Sequence, residues 1–266
     1  MEILTEPNDS HETHYRISVR DLVAYLLPTG DLSSTFFSSQ RSVAGTRAHQ
    51  HVQKSRNESY EPEVTVAHTL RIRDYCIQIS GRIDGIFHAP DGDVLEEIKS
   101  TTRDLNGLET HQNDHHWAQL KIYAYMHAAD HGLEKIETCL TYVQLGTNAV
   151  LEIRREFDFA ALKQFFDELV ERFVVYADER KGWQDTRDQS IRDLAFPFPE
   201  YRKGQREMAV RVFRAVREKH QLLVQAPTGI GKTMAAVFPA VKALGDNLVD
   251  RIFYLAARST GKKVAE

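Results

Sequence analysis

The stretch GRIDGIFHAPDGDVLEEIKS, residues 81–100, decides how the first part of the chain is expected to fold. Two strand-like runs flank Asp91-Gly92, and this dipeptide is a strong signal for a two-residue β-hairpin turn. We therefore expect a hairpin whose turn closes between Pro90 and Asp93.

The register of that hairpin determines which charged side chains share a face. With this turn, Asp84 lies opposite Lys99 and Glu97 lies diagonally across from Asp84. Because side chains alternate between the two faces of a strand, Asp84, Glu97 and Lys99 project from the same face. Glu96 projects from the opposite face and is interpreted as a bystander. A three-residue turn would break this register.

Two carboxylates on one face suit a divalent cation, because they repel each other unless an ion accepts oxygen ligands from both. Mg²⁺ or Mn²⁺ fits oxygen donors, and a lysine beside the ion can orient a metal-bound water whose pKa the metal lowers. This combination indicates phosphodiester hydrolysis with Asp84, Glu97 and Lys99 as catalytic residues. The alternative is an ion pair between Asp84 and Lys99 at a strand edge, which contributes little to stability. From the hairpin alone both interpretations stay open.

Composition limits the class of protein. The chain has 266 residues, 42% hydrophobic and 27% charged, as in globular proteins with one or two domains. The net charge of -4 argues against indiscriminate coating of nucleic acid but allows a local basic groove. No apolar run is long enough to span a membrane and no leader follows Met1, so the expected location is the cytoplasm, with no membrane partner. Cys76 and Cys139 lack the spacing that zinc or an iron–sulfur cluster requires.

Apolar periodicity divides the chain into three segments. Residues 1–15 are polar and patternless and are expected to form a flexible N-terminus. Residues 16–190 predict an α/β domain, and residues 191–266 predict a second domain that opens after a charged stretch. Helices are expected in ISVRDLVAYLL and at about 44–56, 111–130, 158–177 and 204–219, and over MAAVFPAVKAL. Strands are expected in EVTVAHTLRI, YCIQISGRIDGIF, DVLEEIKS, ETCLTYVQL, AVLEIRREF, LLVQA and RIFYLAA.

Residues 222–241, LLVQAPTGIGKTMAAVFPAV, read as strand, glycine-rich turn and helix, which is the setting of a phosphate-binding P-loop. Backbone N–H groups of the turn and the helix N-terminus would bind phosphates, Lys232 would reach the β and γ groups, and Thr233 would bind Mg²⁺. Ala226 replaces the first glycine of the usual pattern. The expected nucleotide-binding residues of the loop are Thr228, Gly229, Ile230, Gly231, Lys232 and Thr233.

Other predicted helices carry polar side chains that could complete the hairpin site. His49 follows Gly45 by four residues on the second predicted helix. Gln119 and Tyr123 are spaced i,i+4 on the helix after the hairpin, so they share one face. Each is explained by packing when taken alone, whereas their order along the chain is more informative.

The order helical His, G-x-x-D, E-x-K, Q-x-x-x-Y over residues 45–123 resembles the RecB-like branch of the PD-(D/E)XK nuclease superfamily. The resemblance implies a restriction-endonuclease-like fold, with a mixed sheet flanked by helices, and Mg²⁺ or Mn²⁺ as cofactor. It implies metal ligation by His49, Asp84, Glu97 and the backbone carbonyl of Ile98, catalysis by Lys99, and positioning of the DNA strand by Gln119 and Tyr123.

FPFPEYRKGQREM, before the P-loop, resembles the Q motif of superfamily-two helicases. That implies that Gln205 reads the adenine edge, with Tyr201 or Phe198 as a stacking partner. With ISVRDLVAYLLPTGDL and IFYLAARSTGKKVAE, the chain resembles bacterial DinG/XPD-like helicases that carry an N-terminal nuclease domain. This implies ATP and single-stranded or branched DNA as partners, and the incomplete start of a RecA-like domain. Residues 234–266 contain no DEAH-type acidic box, so we expect a fragment that does not hydrolyse ATP.

Three functions remain in competition. The leading hypothesis is a metal-dependent DNA nuclease joined to the opening of an ATP-dependent helicase, acting in DNA repair or recombination. The second is a DNA-binding module whose inactive nuclease fold guides a strand to a helicase motor. The third is a nucleotide-binding domain whose upstream region serves as scaffold. The intact set Asp84, Glu97 and Lys99 favours the first.

Overall fold

The structure, a computed structural model, describes residues 2–4, 13–28, 39–108 and 114–256. The chain divides into two compact units, residues 1–176 and 177–266. The division falls earlier than the predicted boundary at 190/191. The charged stretch 178–190, read as a boundary, continues instead as part of one long helix, Phe159–Asp193.

Seven strands within the described residues form one mixed sheet in the first unit. Their order is β1-β2-β4-β5-β6-β7, with β3 paired to β4. The β2–β4 and β5–β6 pairs are parallel, and the other pairs are antiparallel. The strands are β1 Glu2–Leu4, β2 Thr13–Ser18, β3 Tyr60–Ile72, β4 Tyr75–Ala89, β5 Gly92–Thr101, β6 Lys135–Gln144 and β7 Val150–Asp158.

Each predicted helix has a counterpart in the structure, although the helix predicted at 158–177 extends to Asp193 and the first helix begins only at Val19. At the start of the first helix, Ser18 Oγ accepts the Asp21 N–H over 3.0 Å, which caps it. None of the described helices is long and apolar enough to cross a membrane. The helices are α1 Val19–Leu26, α2 Ser39–Lys54, α3 Asp114–His131, α4 Phe159–Asp193, α5 Gln205–Arg217 and α6 Lys232–Gly245.

Strand β4 changes its partner near Asp84. One edge of β4 pairs with β3 from Tyr75 to Phe87. The other edge pairs with β2 over residues 75–80 and with β5 over residues 85–89. Residues 81–84 pair with neither β2 nor β5, so the sheet forks there and Asp84 lies at the fork.

Helices α2 and α3 cover opposite faces of this sheet. Helix α2 packs against Ile98 of β5, whereas Gln119 of α3 contacts Lys99. Because side chains alternate along β5, Glu96 lies on the face of α2 and Glu97 on the face of α3.

The predicted hairpin forms, but its turn lies one residue earlier than expected. Pro90 and Asp91 form the turn, and Ala89 pairs with Gly92. Proline explains the position, because its ring fixes φ for the second residue of a β-turn and it has no N–H to give to a ladder. Gly92, with φ 130°, then provides the backbone conformation that ends the turn.

The shifted turn corrects the predicted pairing of the site residues. Gly85 pairs with Glu96 as the last β4–β5 pair, so Asp84 lies one residue beyond the ladder and is not paired with Lys99. Glu97 and Lys99 share a face because side chains alternate along β5, whereas Asp84 reaches β5 from the fork through its carboxylate.

The first residues differ from the predicted flexible N-terminus 1–15. Residues Glu2–Leu4 form β1, which pairs with β2, and β2 begins at Thr13. The prediction is wrong for these residues because Ile3 and Leu4 are apolar and pairing along an existing edge satisfies the backbone groups of the strand. The remainder of the segment lies outside the described residues.

The predicted strands LLVQA and RIFYLAA are wrong in the described part of the second unit. Residues 221–227 and 251–256 are not in strands, and Leu223 and Leu255 are 100% and 92% exposed. A buried parallel strand requires neighbouring strands and helices on both faces. The described residues of this unit supply no strand to pair with them.

Candidate functional site

Lys99 lies at the centre of the predicted site. Its Nζ donates to Glu97 Oε1 and, over 2.8 Å, to Gln119 Oε1. A carboxylate and an amide thus hold the ammonium group from two elements, β5 and α3. The structure therefore brings together three residues that the sequence assigned to one site.

The carboxyl group of Glu97 is buried beside a second acid. Glu97 is 5% exposed, and burial raises its pKa to about 7. The positive charges of Lys99 and His49 oppose this shift, while the negative charge of Asp84 adds to it. Because burial and repulsion prevail, a further cation at this position would stabilise the ionised carboxylate.

Asp84 is oriented by contacts that replace the missing ladder at the fork. Its Oδ2 accepts the Ile98 N–H over 2.7 Å, and its Oδ1 lies 3.7 Å from His49 Nδ1. The backbone C=O of Asp84 accepts from Gln53 Nε2 over 2.9 Å and from the Tyr60 hydroxyl over 3.3 Å. Both Gln53 and His49 belong to α2, so this helix positions the aspartate.

Tyr123 reaches the site because a glycine makes room for it. A Cβ atom at Gly81 would lie 2.6 Å from both Cε1 and the hydroxyl oxygen of Tyr123. Burial raises the pKa of the Tyr123 hydroxyl, and the negative charges of Glu97 and Asp84 raise it further. The hydroxyl is therefore protonated at neutral pH and can donate a hydrogen bond.

The donor set has the chemistry of a Mg²⁺ or Mn²⁺ site. Glu97 Oε2 is buried without a hydrogen-bond partner among the described residues, and a cation could satisfy it. The Ile98 C=O leaves β5 on the same side as its N–H, toward Asp84. However, no group of three or more His, Cys, Asp or Glu side chains in the described ranges is arranged to hold a metal ion. Ligation by His49, Asp84, Glu97 and Ile98 stays a prediction.

The glycine-rich turn of the second unit precedes a helix, as predicted. Gly229 and Gly231 have φ of 87° and 81°, and α6 begins at Lys232. Thr228, Gly229 and Ile230 form the bend. Lys232 Nζ donates to the Pro227 carbonyl over 2.9 Å. The backbone N–H groups at the start of α6 would donate hydrogen bonds to a phosphate.

The residues expected around adenine have other neighbours. Tyr201 stacks on Phe196, with ring centroids 3.9 Å apart, and Phe198 is 51% exposed. Gln205 is 3% exposed, and Thr233 Oγ1 lies 3.5 Å from the Tyr254 hydroxyl. Adenine recognition by Gln205 stays a prediction.

Sequence reasoning missed an ionic cluster on the opposite face of β5. Glu96 is not a bystander, since it is fully buried, pairs with Arg56 and accepts a hydrogen bond from Thr141. Arg56 also donates to Glu152 Oε1 over 2.6 Å, and its guanidinium lies 5.3 Å from the Phe87 ring centroid. No local spacing could have revealed these partners, because they come from different strands far apart in the sequence.

Comparisons with known proteins give one family match, one related protein sequence and one similar solved structure. Residues 206–262 match the DEAD/DEAH box helicase family. A 46-residue segment, 17% of this chain, is 39% identical to a probable ATP-dependent helicase of Methanocaldococcus jannaschii, and covers 7% of that protein. The crystal structure of SSO0001 is similar over 63% of this chain and 78% of that chain, at 23% identity and a TM-score of 0.39.

These findings support a helicase-type, ATP-binding relationship for the second unit. The α/β class with a mixed sheet is confirmed in the first unit. The chain spans a small fraction of the matched helicase, so the activity of that whole protein is not transferred. The resemblances to DinG/XPD-like helicases and to RecB-like nucleases stay predictions.

Proposed function

We propose that this chain is a metal-dependent DNA nuclease joined to an ATP-binding, helicase-type segment. The observation that supports the nuclease most directly is buried Glu97, which accepts a hydrogen bond from Lys99 Nζ and has its pKa raised further by the negative charge of Asp84. Such a pair of acids with a held lysine suits phosphodiester hydrolysis.

The chain's own residues would divide the work. Asp84 and Glu97 would hold Mg²⁺ or Mn²⁺ with His49, and the bound ion would supply an acidified water and a Lewis acid. Lys99, fixed by Gln119, presents a positive charge that offsets negative charge developing on the phosphate. The protonated hydroxyl of Tyr123 can donate a hydrogen bond to the DNA backbone.

An inactive DNA-binding module is the second candidate. It is favoured by the lack of a three-residue metal-binding group in the described ranges and by the ion pair that Lys99 makes with Glu97. In that case the buried charges satisfy each other, and DNA binds without being cut.

The match of residues 206–262 to the DEAD/DEAH box helicase family supports ATP as a ligand of the second unit. The loop geometry around Gly229 and Gly231, with Lys232 at the helix start, supplies the phosphate-binding groups.

The test uses the full chain with single-stranded, duplex and flapped DNA in Mg²⁺ and in Mn²⁺. Lys99→Ala should keep metal affinity but lose about two to four orders of magnitude in rate, because lysine acts on the reaction and does not ligate a cation. His49→Ala should weaken Mn²⁺ binding measured by calorimetry and be partly rescued by more Mn²⁺. Lys135→Ala, at an exposed pair with Glu156, is the matched control and should cut normally.

The outcomes separate the two candidates. Normal cutting by Lys99→Ala would contradict the nuclease at this site. DNA binding by the unmodified chain without cleavage in either metal would favour the inactive module.

A further inference from the structure

Two side chains at the start of α5 hold carbonyl groups of the phosphate loop. Gln205 Nε2 donates to the Gly231 C=O over 3.1 Å, and Arg202 Nη1 donates to the Gly229 C=O over 2.5 Å. The two residues are also joined, because the Arg202 N–H donates to Gln205 Oε1 over 3.0 Å. Together they form one hydrogen-bonded clamp on the loop, here called the loop clamp.

Gln205 is enclosed by the loop that it contacts. It is 3% exposed, and a Cβ atom at Gly231 would lie only 2.2 Å from its Nε2. Its carbonyl oxygen and one amide hydrogen are used within the protein. A role confined to reading a nucleotide base does not account for these contacts.

The clamp determines which way the loop N–H groups point. A trans peptide group is planar, with its C=O and N–H on opposite sides. Holding the Gly229 and Gly231 carbonyls toward α5 therefore directs the N–H groups of Ile230 and Lys232 away from it. The Gly231 C=O also accepts the Ala235 N–H over 3.1 Å, so the clamp reaches the first turn of α6.

Fixed peptide orientation matters most for an anion. Phosphate binding at a glycine-rich loop depends on several N–H groups that point to one place. Gly229 and Gly231 have φ of 87° and 81° and no Cβ, so without side-chain contacts their peptide planes turn with little resistance. A clamp that removes this freedom lowers the ordering cost of phosphate binding.

We propose that Gln205 and Arg202 are positioning residues that set triphosphate affinity through the loop peptides, independently of the nucleotide base. This inference rests on ATP binding by the second unit and assigns these residues a role beyond adenine recognition. The effect of these residues on affinity should therefore also be seen with triphosphate ligands that have no base.

The experiment compares MgATP with magnesium tripolyphosphate, which has the phosphates but no base, by calorimetry on the full chain. Gln205→Met and Arg202→Met should each weaken both ligands by about the same factor, on the order of tenfold for one lost hydrogen bond. Arg202→Lys should recover part of the loss, since lysine keeps a donor. Arg211→Met is the control. It removes an exposed arginine of α5, which pairs with Glu207, and should leave both affinities unchanged.

Thermal unfolding of each variant checks folding. Equal loss for the two ligands supports the loop clamp. Loss of ATP affinity with unchanged tripolyphosphate affinity would overturn it and leave Gln205 as a base reader. If the unmodified chain bound neither ligand, the clamp and ATP binding by this unit would both be wrong.

Discussion

Glu96 and Glu97 are neighbours on β5, and both are buried, yet they face opposite sides of the sheet and meet different partners. Glu96 is fully buried and is joined to Arg56 and Thr141. Glu97 is joined to Lys99 and is repelled by Asp84. Each carboxyl group retains one buried oxygen without a hydrogen-bond partner in the described residues.

The two carboxyl groups differ in how exposed their charged neighbours are and in the charges of those neighbours. Arg56, the cation beside Glu96, has a side chain only 14% exposed and also pairs with Glu152. The charged neighbours of Glu97 are more open, since the side chains of Lys99 and Asp84 are each 23% exposed. An enclosed ion pair suits stability, whereas Asp84, which is partly exposed, can be reached by an ion or a substrate.

Breaking the enclosed ion pair should have the largest effect on stability. Arg56→Met leaves Glu96 buried without its cation, which should lower the free energy of unfolding by about 3–5 kcal/mol. Denaturant unfolding measures this. Arg82→Met, at an exposed pair with Glu63, is the matched control and should cost at most about 1 kcal/mol. Equal losses for the two variants would contradict the structural role of the Arg56 cluster.

Glu97 should make the free energy of unfolding depend on pH. The folded chain retains the Glu97 proton up to about pH 7, whereas the unfolded chain releases it near 4.5. Folding therefore takes up a proton within that window, and this group's contribution to the free energy of unfolding falls as pH rises through it.

Unfolding curves of the metal-free chain between those pH values test this, with Glu97→Gln as the comparison. The free energy of unfolding of Glu97→Gln should not show this fall with pH. The variant should therefore be more stable than the unmodified chain near pH 7. The same pH dependence in both proteins would show that Glu97 is not the titrating group.

A smaller effect is expected where α3 approaches the fork. Gly81→Ala places a Cβ atom against the Tyr123 ring and should cost about 1–3 kcal/mol by overpacking. The double variant Gly81→Ala, Tyr123→Leu should recover part of that loss, because the smaller side chain vacates the space. Unfolding free energies of the three proteins form the cycle, and strict additivity would argue against the contact.

Local signals predicted much of the first unit, whereas tertiary partners could not be predicted. The helix with Gln119 and Tyr123, and the hairpin with Glu97 and Lys99 on one face of β5, follow from short-range periodicity. The turn position did not, because the Asp-Gly signal outweighed the constraint that Pro90 imposes. Arg56 was missed because its partners on β5 and β7 have no fixed spacing from it in the sequence.

In the second unit, the sequence predicted strands that the described residues do not form. Apolar runs such as LLVQA predict a buried strand, but Leu223 is fully exposed. A strand is buried only when other strands and helices cover it, and a local pattern does not contain that information. The loop and helix around Lys232 were predicted because glycine conformations and helix starts are local properties.

The most direct measurement is the rate of Mn²⁺-dependent cleavage of single-stranded DNA by the full chain, with Glu97→Gln and Glu152→Gln compared. Both substitutions replace a carboxyl group with an amide of nearly the same shape, but Glu152 lies on the Arg56 face of the sheet. We predict that Glu97→Gln loses more than about a hundredfold in rate, because changes outside the direct ligands already cost about 10- to 100-fold. Glu152→Gln should cut at close to the normal rate. Unchanged cleavage by Glu97→Gln would contradict the proposed nuclease site.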